Sequence, residues 1–129
     1  MITLIKRKGV DPNTKEELYY PRWVRISTVN ELQLAKRMAR SSTFSVGEVS
    51  GVFADFSQVI LDELLNGNAV EIGGLGMFKL KVHGNSSKDK KNVGANLKFN
   101  VIFEPADDLV SRLNEEGEYR FVEVTKEKL

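Results

Sequence analysis

The sequence contains no cysteine and a single histidine. Disulfides, thiolate nucleophiles and cysteine-ligated zinc are thereby excluded, and so is a histidine-rich metal site. Long apolar runs are missing too. The longest stretch free of Lys, Arg, Asp and Glu is seven residues, as from Ile72 to Phe78, whereas a membrane span needs about 18. No membrane partner is therefore expected. Nor does one sign of charge dominate. Lys and Arg number 19, Asp and Glu 18, for a net charge of +1, so the whole chain is not a polycation that coats nucleic acid. The first residues run apolar and then basic (Lys6-Arg7-Lys8), the reverse of a secretory leader. Together with the missing cysteine, this leads us to expect a cytoplasmic protein.

A chain of 129 residues and 14.5 kDa, 41% hydrophobic and 29% charged, reads as one globular domain, or as one with a small appendage. The near-zero net charge conceals alternating blocks. Residues 1–30 carry six bases and three acids, residues 31–66 three and five, residues 67–105 six and three, residues 106–129 four and seven. Such blocks suit either a basic face on a neutral protein or four solvated surfaces.

Ile2-Thr3-Leu4-Ile5 and Arg22-Trp23-Val24-Arg25-Ile26 predict two strands, separated by turn formers from Gly9 to Thr14. Thr28 with Glu31, and Ser45 with Glu48, have capping-box spacing and predict two helix starts. The first helix aligns Leu32, Ala35, Met38 and Ala39. The second runs to Asn66-Gly67, a left-handed stop. Its stripe of Val46, Val49, Val52, Phe53, Phe56, Val59, Ile60, Leu64 and Leu65 is wider than one packing face needs. No other long helix is present to cover it, so a second copy of the chain is expected to do so.

After Gly67 the period changes from helical to two. Val70 and Ile72 form a short strand, and Gly73-Gly74-Leu75-Gly76 a turn that needs backbone freedom. Phe78, Leu80 and Val82 then alternate with Lys79, Lys81 and His83, and Leu97, Phe99, Val101 and Phe103 alternate with Lys98 and Asn100. The polar, basic segment 84–96 joins these long strands as a mobile tip. Pro105 ends the second strand, residues 106–113 form a short helix with acids in its first turn, and residues 119–124 a last strand, before a frayed tail.

The order helix, longer helix, strand, glycine turn, long basic hairpin and short helix carries two motifs. These are the G-x-G-x-F of Gly74, Gly76 and Phe78, and Phe103-Glu104-Pro105. Order and motifs together resemble the bacterial histone-like HU family and its relative, integration host factor. The resemblance covers about two thirds of the chain, and the additional terminal strands are similar to those of extended Bacteroidetes variants. It implies an α+β fold: an intertwined homodimer with a helical body and two β-hairpin arms around DNA, here with extra terminal β-strands. The chain departs from the family in three ways. The hairpin is shorter, the tip lacks the Arg-Asn-Pro whose proline kinks DNA, leaving Val93 as its apolar residue, and Glu104, Asp107 and Asp108 occupy positions near expected phosphates.

The expected organisation is an N-terminal hairpin extension (1–27), an HU-like DNA-binding domain (28–116) and a C-terminal strand with tail (117–129). The candidate DNA-binding residues are Lys79, Lys81, His83 and Lys98 on the hairpin and Lys88, Lys90 and Lys91 at its tip; the alternative for the first four is a lysine-rich solvent face that discourages edge pairing, and for the tip a disordered loop kept soluble by charge. Phe53, Phe56, Ile60, Phe78, Phe99 and Phe103 form the expected dimer core. Gly74 and Gly76 form a structural turn, since no Gly-Lys-Ser/Thr follows them to cradle phosphate. Gly51 lies inside the long helix, either for a close helix approach or by tolerance. Lys6, Arg7, Lys8, Arg22 and Arg25 form a second basic group; the nearby Trp23, Tyr19 and Tyr20 are expected to pack on the C-terminal strand rather than to stack on unpaired bases. No nucleophile–base pair, cofactor site or metal site is apparent, so an enzyme is not expected. The reading is an architectural, nucleoid-associated protein that binds double-stranded DNA with little sequence preference. Its rival is an HU-like dimer with weak DNA binding that engages a protein through its terminal sheet.

Overall fold

The computed structural model describes residues 1–94 and 96–123. The expected continuation of the last strand to Val124, and the frayed tail, lie outside the described residues. The fold is α+β, with three α-helices and two three-stranded sheets among the described residues. The chain divides into two compact units. One comprises Met1–Val29 with the chain from Arg112 onward, the other Asn30–Ser111.

In the first unit, β1 (Ile2–Val10) and β2 (Glu17–Val24) pair antiparallel and β6 (Tyr119–Phe121) pairs parallel to β1, giving the order β2-β1-β6. Both hairpin strands are longer than the apolar runs suggest, because the cross-strand ladder continues through Lys6-Arg7-Lys8 and Tyr19-Tyr20. The turn is held by the Asp11 carboxylate, which accepts from the Asn13 N–H at 2.8 Å. That hydrogen bond holds the Asp11 carboxyl below the usual carboxylate range. Pro21 sits on edge strand β2, where its missing N–H is tolerated. The expected packing of Trp23 and the tyrosines on the C-terminal strand is not found. β2 and β6 occupy opposite edges of β1, and Tyr19, Tyr20 and Trp23 are exposed. Tyr20 instead lies across Gly9, where a Cβ would meet its ring at 2.7 Å.

In the second unit, α1 (Glu31–Arg40) and α2 (Val46–Leu65) pack together. The Ser45–Glu48 capping box forms as expected. The first one does not: Asn30 caps α1, with Gln33 as its reciprocal partner. Asn is a stronger N-cap than Thr, and the Thr28 hydroxyl instead accepts from Arg25 at 3.4 Å. Of the expected α1 face, only Ala35 is buried. α2 stops at a Schellman motif. Gly67, at φ +85°, donates to Leu64 O, and Asn68 donates to Glu63 O.

The second sheet has the order β3-β4-β5, with β3 (Val70–Ile72), β4 (Gly76–His83) and β5 (Lys98–Pro105) antiparallel in turn. Gly74, at φ +80°, makes the turn between β3 and β4. Gly76 is held by space as well as by its φ of +153°, since a Cβ there would lie 2.3 Å from Glu104 O. α3 (Asp107–Glu116) follows β5 and extends three residues beyond the expected helix. It ends where Gly117 N–H donates to Leu113 O.

Candidate nucleic-acid interface

Strand periodicity and register together sort the β4–β5 ribbon into two faces. The pairs Phe78↔Phe103, Leu80↔Val101 and Val82↔Phe99 share one face. Phe78 and Phe103 stack at 5.1 Å with a 41° tilt. The pairs Lys79↔Ile102, Lys81↔Asn100 and His83↔Lys98 share the other. The four hairpin residues expected to bind DNA are thus brought to one side. Lys81, His83 and Lys98 are exposed and Lys79 is half-buried.

The four are not equivalent. Lys79 Nζ lies 2.9 Å from Glu104 Oε2. Among the described residues, neither Lys81 nor Lys98 has a carboxylate within 4 Å. The free cationic charge of this face therefore rests on Lys81 and Lys98. The sequence places Glu104 near the arm, but only the strand register reveals that it neutralises a particular lysine.

Beyond the strands, a single 3-10 turn (Lys90–Asn92) shapes the tip. The Asp89 carboxylate accepts from Lys91 N–H at 3.0 Å, while the side chains of Lys88, Lys90 and Lys91 point to solvent. Val93 is also exposed. The tip is thus basic, with its one acid committed to local backbone structure.

The glycine turn has the opposite character. The groove of about 270 Å³ beside Gly73, Gly74 and Gly76 is lined by Glu71, Glu104 and Asp107. Three carboxylates repel phosphate, in agreement with a structural turn and not a phosphate cradle.

The apolar face of the ribbon continues into a groove of about 360 Å³ formed with α2, lined by Leu61, Leu64, Leu65, Leu80, Phe99 and Val101. None of the six residues expected in the dimer core is buried within one chain. Phe53, Ile60 and Phe78 are half-buried, and Phe56, Phe99 and Phe103 are 40%, 67% and 42% exposed. Gly51 lies elsewhere, on the polar side of α2 in line with Asp55, Gln58 and Asp62, and a Cβ there meets nothing within 4 Å.

Among the described residues, no group of three or more His, Asp and Glu side chains is placed to hold a metal, and no helix is long and apolar enough to cross a membrane.

Two capped helices leading through a glycine turn into a ribbon with one basic and one apolar face define the chain as an HU-like domain. It belongs to the family described as an HU domain fused to a winged helix-turn-helix, an immunoglobulin-like or a glycine-rich motif, whose model matches residues 3–120. Its fold is similar to that of a candidate bacterial DNA-binding protein from Bacteroides vulgatus, at 10% identity and a TM-score of 0.68. The similarity covers 94% of this chain and 47% of that one, so the chain spans about half the length of that relative. No protein of curated function matches it.

Proposed function

We propose that the chain is an architectural DNA-binding protein that grips the phosphate backbone of double-stranded DNA with its β4–β5 ribbons as an intertwined homodimer. The observation that carries this reading is the two-faced ribbon, with Lys79, Lys81, His83 and Lys98 on one face and Phe78, Leu80, Val82, Phe99, Val101 and Phe103 on the other. Such a ribbon serves both needs at once: the apolar face joins the body and the basic face meets phosphate. Membership of the HU-domain family and the fold likeness to a candidate DNA-binding protein support it.

The dimer rests on uncovered apolar surface. In the helical unit Val52, Phe56, Val59, Leu65, Leu80, Val82, Phe99, Val101 and Phe103 stay 40–75% exposed. Burying the rest of each contributes about 1 kcal/mol, or on the order of 10 kcal/mol per protomer before association costs. In a two-fold dimer the basic set appears twice. Binding is then dominated by counterion release and has little sequence preference. The corresponding location is the nucleoid, and the proposed boundaries are those of an HU-like domain (28–116) flanked by terminal strands.

One observation favours a second reading. The Lys79–Glu104 pair removes a phosphate ligand from each ribbon, as expected of an HU-like dimer with weak DNA affinity that engages a protein instead. Fluorescence anisotropy of labelled duplex DNA, titrated across salt concentrations, separates the two. Steep salt dependence supports the first reading, and no binding at low salt supports the second.

A further inference from the structure

The terminal sheet carries a second array of bases and aromatics that the ribbon reading does not use. Strand alternation and register place Leu4, Lys6 and Lys8 of β1, Tyr19, Pro21 and Trp23 of β2, and Tyr119 and Phe121 of β6 on one face. Side-chain contacts agree with that placement. Lys6 Nζ sits 5.2 Å from the centre of the Phe121 ring, and the Tyr119 and Phe121 rings meet edge to face at 5.9 Å. Trp23, Leu4 and Phe121 form one row across the three strands, and Tyr19 and Lys8 another.

The aromatics on this face are not a core. Tyr19 is 67% exposed, Trp23 64%, Tyr119 63% and Phe121 45%. An open groove of about 1130 Å³ runs past Lys6, Lys8 and Trp23 of this face and past Arg25 beyond the end of β2, and takes in Arg7 and Arg22, which the same alternation puts on the opposite face; among the described residues Glu123 is its one carboxylate. Lys8 is paired with Glu17 at 2.9 Å; among the described residues the other four cations have no ion-pair partner. Flat rings exposed on a rigid sheet offer stacking surfaces, and unpaired Lys6 on the same face, with Arg25 just past the end of β2, offers cations to a polyanion. A duplex hides its base faces, so only an unpaired strand can use both.

We infer that the aromatic face of the β2-β1-β6 sheet binds single-stranded nucleic acid, stacking bases on Trp23 and Tyr19 while Lys6 on the same face and Arg25 past the end of β2 hold the phosphates. None of its residues belongs to the β4–β5 ribbon.

Trp23 is the only tryptophan in the chain, so its fluorescence reports stacking directly. The full chain is titrated at low salt with oligothymidylate and, in a parallel arm, with oligouridylate. Trp23 emission is expected to be quenched to saturation by at least one of them, and equally in Lys81→Gln/Lys98→Gln, which disables the ribbon. By anisotropy with the labelled oligomer, Trp23→Ala is expected to weaken binding about tenfold or more, and adding Tyr19→Ala to weaken it further, while Trp23→Phe retains most of the affinity. All these side chains are exposed, and far-UV circular dichroism confirms folding. Absence of quenching with both oligomers, or unchanged affinity in the Trp23→Ala/Tyr19→Ala variant, overturns the inference. So does unchanged oligomer binding in a double variant whose sedimenting mass has fallen, which makes the face a contact between proteins.

Discussion

Lys79 and Glu104 form an ion pair of 2.9 Å across the β4–β5 ribbon, diagonal to the Lys79↔Ile102 and Met77↔Glu104 register pairs. Both side chains are about half exposed, so the pair adds no more than about 1 kcal/mol to stability. Its consequence lies in charge. One lysine of the face proposed to meet phosphate is already paired, and the ribbon presents two unpaired ammonium groups per chain instead of three.

Glu104→Gln releases that lysine. In a dimer two charges are restored, so the slope of log K against log salt for duplex DNA should steepen by up to about 1.8, since each phosphate neutralised contributes about 0.9. Anisotropy titrations over a salt series measure this, and thermal unfolding of the variant should barely change.

Gly76 has no room for a side chain, with Glu104 O lying 2.3 Å from where a Cβ would stand and a φ of +153°. Gly76→Ala should cost about 1–3 kcal/mol or more, read as a lowered midpoint in chemical denaturation. Gly51 is the contrast, open to solvent inside a helix. Gly51→Ala should raise stability by about 1 kcal/mol.

The uncovered apolar stripe of α2 predicts a dimer that persists at micromolar concentration with little folded monomer. Sedimentation equilibrium tests it. Phe53, half-buried within one chain, is expected to become fully enclosed on dimerisation. Phe53→Asp should therefore abolish cooperative folding instead of releasing a stable monomer, because an unpaired buried charge is so costly.

Asp107 and Asp108 occupy the first turn of α3. If that turn faces the duplex, Asp107→Lys/Asp108→Lys tightens DNA binding and steepens its salt dependence. Unchanged affinity places the turn away from DNA. Either way the helix itself should lose about 0.3–1 kcal/mol per acid replaced, because carboxylates favour a helix N-terminus.

Local rules carry α2 and the ribbon well. Ser45 and Glu48 lie three residues apart and cap each other, Gly67 takes the left-handed stop, and alternation from Phe78 to Val82 assigns both faces. Local rules fail where several capping residues compete. Thr28-Val29-Asn30-Glu31 contains two candidate caps, and the stronger one, Asn30, wins. They fail again where strand order decides. That Trp23 lies on the far side of β1 from β6, and that Glu104 reaches Lys79, depend on which strands are neighbours and in what register. Neither is encoded within a short window of sequence. The HU-like resemblance is legible because its glycine motif spans the β3–β4 turn, where glycine is required by φ at Gly74 and by both φ and space at Gly76.

The central claim is that the basic face of the ribbon holds DNA through Lys81 and Lys98. The most direct measurement is the salt dependence of duplex binding by Lys81→Gln/Lys98→Gln beside the parent. Four ammonium groups are lost per dimer, so the slope of log K against log salt should flatten by up to about 3.6, with affinity falling alike for all sequences. The apolar face of the ribbon is untouched, and unfolding should be unchanged. A variant that folds normally and binds duplex DNA as tightly as the parent, with the same slope at every salt concentration, contradicts the account.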